Sequence, residues 1–287
     1  MFYKSHLPDN ETGNCLSALI ALTPSESKRL IAKGVAMLPE VKRALERGLI
    51  IIARGTTNAF VAEEIMGISI EPKCEYCRGC IVDGELRANM KHAENDFVLR
   101  QGKVDNIRPQ EAIKEFTGDD VFIKGASAVD SSGQAGVLAA GIGAGTIGYA
   151  LPTVMVRAAH LIVPVGLEKL VPSVDQASQK CGVFDFKYST GLPCALIPLI
   201  NAKVVTEIQA FEVLAGISAT HVASGGIGGS EGTVVLTLEG SEGNIEQAFG
   251  LVKAIKGEPP VPCPEKTTPS AGSMNYDAIA LRNTLGR

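Results

Sequence analysis

Residues 119–170, DDVFIKGASAVDSSGQAGVLAAGIGAGTIGYALPTVMVRAAHLIVPVGLEKL, contain two apolar runs that flank a glycine-rich stretch. The runs at 121–123 and 161–165 predict strands, and residues 152–159 before the second run predict a helix. Between Asp130 and Arg157 the sequence has no ionised side chain but many glycines. Strands that alternate with helices predict an α/β fold whose sheet is mainly parallel, with helices on both faces.

A similar unit lies upstream, where residues 49–60 read LIIIARGTTNAF. The continuous apolar run at 49–53 is typical of a strand that is buried on both faces of a parallel sheet. The turn that follows contains Gly55, Thr56, Thr57 and Asn58 and opens a helix. We therefore expect the runs at 49–53, 121–123 and 161–165 to be neighbouring strands of one sheet.

The order of predicted elements divides the chain into three parts. Residues 1–201 form an α/β ligand-binding domain, in which 73–103 is an insert of polar hairpins. Residues 202–262 follow a βαββαβ order, with a short edge strand near Val261, and this order predicts a small ferredoxin-like domain. Residues 263–287 are rich in proline and polar residues, which predicts an extended arm that ends in a short helix at 275–285.

Bulk composition excludes several classes of protein. The chain has 287 residues, 45% apolar content and a formal charge of −4, so it has no basic surface of the kind that binds nucleic acid. No signal peptide is visible at the start, and the longest apolar run, interrupted by Pro152, is too short to span a membrane. Seven cysteines in a chain that can build its own core indicate a reduced, cytoplasmic protein. The arm and the small domain suggest a homodimer.

Two glycine-containing turns are candidate binding sites for a small anion. The amides of a helix N-terminus attract phosphate or carboxylate, which makes Gly55, Thr56, Thr57 and Asn58 candidate ligand-binding residues. A helix cap without any ligand is the alternative for this turn. The second turn region includes Gly125 at a strand end, and Gly143, Gly145 and Thr146 in the charge-free stretch. We expect these residues to line a common cleft.

Taken together, residues 50–65 and 119–170 resemble a superfamily that includes ribose-5-phosphate isomerases, glucosamine-6-phosphate deaminases, CoA transferases and the sugar-phosphate sensor domains of bacterial repressors. In that superfamily a strand runs into a Gly-Ser/Thr-Thr turn that holds phosphate. The positions that match its motifs are Gly55, Thr56 and Thr57, then Gly125, Ala126 and Asp130, and then Lys169. The resemblance implies a Rossmann-like sheet of the isomerase and CoA-transferase type.

The resemblance also assigns roles, with one departure from the family pattern. It implies that Asp130 acts as general base and that Lys169 holds an anionic group. The isomerases place two acidic residues directly after Gly-Ala, whereas Ser127 and Ala128 stand at those positions here. The catalytic role therefore does not transfer residue by residue.

Cys74, Cys77 and Cys80 form a separate candidate site in the sequence EPKCEYCRGC. Three thiols at this spacing can face one zinc ion or iron–sulfur cluster, provided that a fourth ligand completes the set. The alternative is an exposed loop, outside the main sheet, with three free thiols.

Three functions remain open from the sequence. The chain could convert a small phosphorylated or CoA-linked metabolite, with Asp130 and Lys169 as catalytic residues. It could bind such a metabolite without turnover, as a sensor. It could also be a metal or iron–sulfur protein that uses the three cysteines.

Overall fold

The computed structural model describes residues 1–4 and 15–269. In this part of the chain the strands are β1 (Leu16–Leu22), β2 (Leu49–Ile52), β3 (Gly79–Val82), β4 (Glu85–Ala88), β5 (Phe97–Arg100), β6 (Lys103–Val104), β7 (Val121–Ile123), β8 (Ala128–Val129), β9 (Ala135–Ala139), β10 (His160–Pro164), β11 (Ala195–Leu199), β12 (Lys203–Val205), β13 (Ser218–Gly225) and β14 (Thr233–Gly240). The α-helices are α1 (Pro24–Met37), α2 (Pro39–Arg47), α3 (Thr56–Met66), α4 (Pro109–Ala112), α5 (Gly145–Val156), α6 (Val174–Ser178), α7 (Glu207–Ala215) and α8 (Glu242–Ile255).

A six-stranded mixed sheet forms the centre of the molecule, with strand order β12-β10-β7-β2-β5-β6. The pairs β12–β10, β10–β7 and β7–β2 are parallel, whereas β5 and β6 add an antiparallel hairpin at one side. The prediction that the apolar runs at 49–53, 121–123 and 161–165 are neighbouring parallel strands is therefore confirmed. The carboxyl ends of four parallel strands meet at one edge of this sheet.

Both faces of the sheet are covered, and this explains the continuous apolar sequence of β2. Ile50 and Ile52 pack with the core cluster that contains Phe60 of α3 and Ile31 of α1. Ile51 points to the opposite face, where the cluster includes residues of α5. Because side chains alternate along a strand, only a strand that is buried on both sides needs apolar residues at every position.

Helix starts agree with the sequence patterns at α1 and differ at α5. Thr23 accepts a hydrogen bond from the Glu26 amide, and the Glu26 side chain accepts one from the Thr23 amide, which completes a capping box. Helix α5 begins at Gly145, earlier than the predicted start at Pro152, which lies inside the helix. Gly145 has a φ of 57°, a left-handed conformation that glycine adopts at little cost.

The predicted ferredoxin-like arrangement differs from the structure. The four strands of such a domain would share one sheet, but β12 pairs with β10 in the central sheet. The second sheet has three antiparallel strands in the order β1-β14-β13. Its edge strand β1 comes from the start of the chain, outside residues 202–262. Residues near Val261 form no strand. The βαββαβ order does not define a ferredoxin-like domain here, because the order of elements in the sequence does not reveal which sheet a strand joins.

The insert and the arm meet at the hairpin β3–β4. This hairpin follows a short 3-10 helix at Lys73–Tyr76. It lies in the segment 73–103, for which the sequence predicts polar hairpins. The described part of the arm runs beside β4, where the Thr268 amide donates to the Ala88 carbonyl. The predicted helix at 275–285 lies outside the described residues. None of the helices in the described part of the chain has the length and apolar character needed to cross a membrane.

Candidate functional site

Charged side chains gather where the four parallel strands of the central sheet end. Lys124 follows β7 directly, Glu207 lies two residues after β12, and Glu168 and Lys169 lie in a 3-10 turn after β10. Arg54 comes shortly after β2. Ligands of α/β proteins bind at this edge of the sheet, because the loops that leave the strands converge there.

The turn between β2 and α3 is occupied by the protein's own cysteine segment. The Gly55 amide donates to the Tyr76 carbonyl at 2.7 Å, and the Thr56 amide points at the sulfur of Cys77. A helix N-terminus presents unpaired amides with partial positive charge. At α3 the first of these amides meet Tyr76 and Cys77, where the sequence predicts a ligand anion.

Asn58 fastens the ends of β2 and β7 to each other. Its side chain is fully buried, and Nδ2 donates to the carbonyls of Ala53 at 2.6 Å and Ile123 at 3.2 Å. The Oδ1 atom is buried without a hydrogen-bond partner among the described residues. It lies 3.6 Å from the position that a Cβ would occupy at Gly125. Gly55, Asn58 and Gly125, which the sequence predicts to share a site, therefore lie together. Thr57, from the same predicted set, is buried beside them in the first turn of α3.

Lys124 places an ammonium group in this region without a carboxylate partner. Its Nζ donates to the Gly125 carbonyl at 3.3 Å, and no ion pair of Lys124 occurs in the part of the chain that the structure describes. Desolvation lowers the pKa of the Lys124 ammonium, although the nearby Cys77 and Asp96 act in the opposite direction. Because a desolvated charge needs a partner, the surroundings of Lys124 favour either a neutral amine or an added anion.

Lys169 and Lys28 share one carboxylate, that of Glu168. The Glu168 Oε1 atom lies 3.8 Å from Lys169 Nζ and 3.7 Å from Lys28 Nζ, and Lys169 also donates to the Ala126 carbonyl at 3.1 Å. The other carboxylate oxygen, Oε2, is buried without a hydrogen-bond partner in residues 1–4 and 15–269. Burial lowers the pKa of Lys28.

Glu207 stands behind Glu168 and is fully buried at the start of α7. Its carboxylate accepts hydrogen bonds from the Leu167 amide at 3.0 and 3.3 Å. Burial raises the pKa of Glu207 to about 7, and the negative charge of Glu168 is the second cause of this rise. The Glu207 carboxyl group is therefore poised to hold or release a proton near neutral pH.

Asp130, the predicted general base, has a structural role. Its Oδ1 accepts from the amides of Ser132 and Gln134 and from the Ser132 hydroxyl, and its Oδ2 accepts from the Val174 amide. Burial raises the pKa of Asp130, but these hydrogen bonds outweigh burial and lower it. A carboxylate that is saturated in this way and holds the turn after β8 is poorly suited to accept a substrate proton.

Gly143, Gly145 and Thr146 form the turn into α5, and the two glycines are exposed to solvent. Gly143 has a φ of 74°, so its glycine is required by the backbone conformation. The first turns of α5 are linked to the sheet edge through Tyr149, which donates to Asp96 at 3.0 Å. Asp96 also accepts from Arg54, the residue before Gly55. This turn thus neighbours the site, while none of its described hydrogen bonds reaches Thr56 or Thr57.

The three cysteines do not form a metal centre in the described structure. Cys74, Cys77 and Cys80 direct their thiols to three different carbonyls, those of Cys263, Gly79 and Arg87. Within residues 1–4 and 15–269, no group of three or more His, Cys, Asp or Glu residues is placed to hold a metal ion. The alternative correctly puts the cysteines outside the main sheet, since β3 and β4 form a separate two-stranded sheet. Its exposed loop is wrong, because Cys74 and Cys77 are buried.

A surface concavity elsewhere on the molecule is lined by an ion-pair cluster around Arg29. Arg29 contacts the carboxylates of Glu63, Glu64 and Glu258 at 2.6–3.0 Å. Lys73 pairs with Glu63 at 3.1 Å. Since these charges are matched within the protein, this concavity is a poor candidate for a binding site.

Sequence reasoning missed Lys28, Lys124, Glu168 and Glu207 as members of the site. Three of them follow a buried parallel strand within a few residues, and this position was a usable signal. Lys28 lies on α1 in an ordinary helical pattern, so the sequence gives no indication that it faces Glu168. Compared with known proteins, the chain matches no family model, no curated protein and no solved structure.

Proposed function

We propose that the protein binds a small metabolite with a phosphate or carboxylate group, free or CoA-linked, beside Lys124 and Lys169. The observation that supports this proposal is the partly buried ammonium of Lys124, whose described partner is one carbonyl oxygen. Keeping such a charge in a folded protein is costly unless an opposite charge joins it. A ligand anion would supply that charge.

The balance of charge at the site supports the same ligand class. The ammonium groups of Lys28 and Lys169 lie 3.7 and 3.8 Å from the Glu168 carboxylate, Glu207 is close to Glu168, and Lys124 is close to Lys169. Because burial raises the pKa of Glu207, its carboxyl group is partly protonated near neutral pH. The cluster therefore has a net positive charge, which attracts an anion and disfavours a cation.

The same residues supply the groups that a proton-transfer reaction needs. An aldose–ketose isomerisation requires a carboxylate beside the migrating proton and fixed donors at the developing enediolate oxygen. Glu168 has a buried oxygen without a partner, and Lys169 lies 3.8 Å from its other oxygen. We assign the acid–base role to Glu168 in place of Asp130. A sensor without turnover would use the same lysines, but it would not need this unpartnered carboxylate oxygen.

The binding proposal is tested by thermal unfolding with ribose 5-phosphate, inorganic phosphate and ribose. A ligand present at about 100 times its Kd stabilises the folded state by about 2.7 kcal/mol. For a chain of this size that corresponds to a rise in Tm of roughly 5–10 °C. We expect the two phosphates to raise Tm and ribose to have no effect.

Two variants locate the effect. Lys124→Met should abolish the rise in Tm, whereas Lys33→Met, which removes a lysine from the matched ion-pair cluster, should retain it. If both variants keep the full rise, the anion binds elsewhere and the proposal is wrong. If neither phosphate raises Tm of the unchanged protein, the ligand class is wrong. The acid–base role has its own test, in which Glu168→Gln should abolish isomerisation of ribose 5-phosphate and retain the rise in Tm.

A further inference from the structure

Two cysteines from distant parts of the sequence lie against each other where the arm meets the insert. The Cys74 thiol donates to the backbone carbonyl of Cys263 at 3.8 Å, although the two positions are 189 residues apart in the sequence. Only 4% of the Cys74 surface is exposed, whereas Cys263 is exposed to solvent. The pair therefore combines a protected thiol with a thiol that a reagent in solution can reach.

Contacts other than the thiol hydrogen bond hold the two segments side by side. The Lys91 ammonium lies 2.9 Å from the Glu75 carboxylate, next to the first cysteine, and 3.0 Å from the Glu265 carboxylate, close to the second. The Met90 amide donates to the Lys266 carbonyl at 2.8 Å. The proximity of the two cysteines is therefore a consequence of the fold.

Cys181 and Cys194 provide a comparison within the same chain. The Cys181 thiol donates to the Cys194 carbonyl at 3.2 Å, so these two residues are also in contact. Neither of them is exposed, and the buried Cys194 thiol donates to the Leu192 carbonyl at 3.2 Å. Thiol–disulfide exchange requires access to the attacking thiol. Of the two pairs, the one formed by Cys74 and Cys263 has an exposed thiol at which exchange with an external disulfide can begin.

We propose that Cys74 and Cys263 are a redox modification site, at which a low-molecular-weight disulfide such as oxidised glutathione converts the two thiols to a disulfide that ties the arm to the insert. This proposal does not depend on the anion site. Because the Cys263 side chain is exposed, it can rotate toward Cys74 without displacing a residue of the core. Disulfides of this kind in a chain whose other cysteines stay reduced are transient and sense the redox state.

The exchange balances in two steps. The Cys263 thiolate attacks one sulfur of oxidised glutathione, which forms a mixed disulfide and releases one glutathione thiolate. The Cys74 thiolate then attacks the Cys263 sulfur, which forms the internal disulfide and releases the second glutathione thiolate. The two protein thiols lose two electrons to the glutathione disulfide, and their two protons pass to the released thiolates. Burial raises the pKa of Cys74, so the exposed Cys263 is the site of the first attack.

Peptide mapping without reductant tests the pairing after the full-length protein is treated with oxidised glutathione. Trypsin should release residues 74–78 and 257–266 as one linked species. Cleavage after Glu75 then separates Cys74 from Cys77 and shows which of them carries the arm peptide. We expect the link at Cys74.

The other cysteines supply the controls for this experiment. Cys15 is exposed like Cys263 and should keep glutathione as a mixed disulfide, and Cys181 should remain a thiol. If Cys263 keeps glutathione as Cys15 does while Cys74 stays a thiol, the proposal is wrong. A link between Cys263 and Cys80 would also overturn it.

Thermal unfolding tests whether the bond ties the arm to the insert. A disulfide that closes a long loop constrains the unfolded chain, so oxidation should raise Tm by roughly 5–10 °C. Dithiothreitol should reverse the rise. Cys263→Ser should abolish it and Cys15→Ser should retain it, and both replace exposed side chains. A full rise in Cys263→Ser, or no rise in the parent protein, would contradict the tie.

Discussion

Two neighbouring residues of α1, Lys28 and Arg29, face two charged clusters of opposite character. Arg29 joins the matched cluster, where three carboxylates lie within 3.0 Å of its guanidinium. Burial lowers the pKa of Arg29, but Glu258 and Glu63 outweigh burial and raise it. Lys28 shares the single carboxylate of Glu168 with Lys169 at longer distances, and burial lowers its pKa.

This difference separates charges that hold the fold together from charges that are kept for a ligand. In the matched cluster each ion is neutralised by the chain itself, so its removal exposes buried partners. At the carboxyl edge of the sheet the lysines exceed their available partners, and titratable groups with shifted pKa values lie side by side. Such clusters are typical of functional sites.

The largest effect on stability is expected from Arg29→Met. This change leaves the carboxylates of Glu63, Glu64 and Glu258 without their shared cation and should lower the free energy of unfolding by about 3–5 kcal/mol. Urea denaturation measures this loss. Lys33→Met, at the exposed rim of the same cluster, should cost no more than about 1 kcal/mol. A loss at Arg29 as small as that at Lys33 would show that the cluster is not structural.

Asp130→Ala should have the next largest effect, about 2–3 kcal/mol, because the Val174 and Gln134 amides lose a charged acceptor. Since hydrogen bonds lower the pKa of Asp130, its contribution is complete above its unfolded pKa and is lost as pH falls through the lower folded value. Unfolding at pH 7 and pH 2 should show the difference between variant and parent shrinking in acid. The rise in Tm with phosphate should persist. Its loss would return Asp130 to the binding site.

Glu207→Gln should increase stability at alkaline pH. Because the folded pKa of Glu207 is raised to about 7, the parent protein loses stability as pH rises from its unfolded value to that point. Glutamine removes this penalty, so the variant should gain on the order of 1–3 kcal/mol at pH 8 and little at pH 4. Glu246→Gln, at an exposed position of α8, is the control. A variant that is less stable than the parent at pH 8 would contradict the raised pKa.

The sequence predicts the strands of the central sheet well, since strands buried on both faces leave an unbroken apolar run such as residues 49–53. It also locates the loops after these strands, which contain Gly55, Gly125 and Lys169. It does not predict that β1 completes the small sheet or that β12 joins the large one, because pairing depends on contacts between distant segments. For the same reason the position of Cys77 against α3 is invisible in the sequence, where the cysteine spacing instead suggests a metal.

The most direct test compares Lys124→Met with Arg29→Met by urea denaturation without ligand and by Tm with inorganic phosphate. We expect Lys124→Met to change the free energy of unfolding by less than about 1 kcal/mol, because it removes a charge that the protein does not neutralise. Replacement of such a group by an apolar one is close to neutral. The same variant should lose the rise in Tm with phosphate. If Lys124→Met instead costs about 3–5 kcal/mol, as expected for Arg29→Met, and keeps that rise, Lys124 is a structural residue and does not bind the anion.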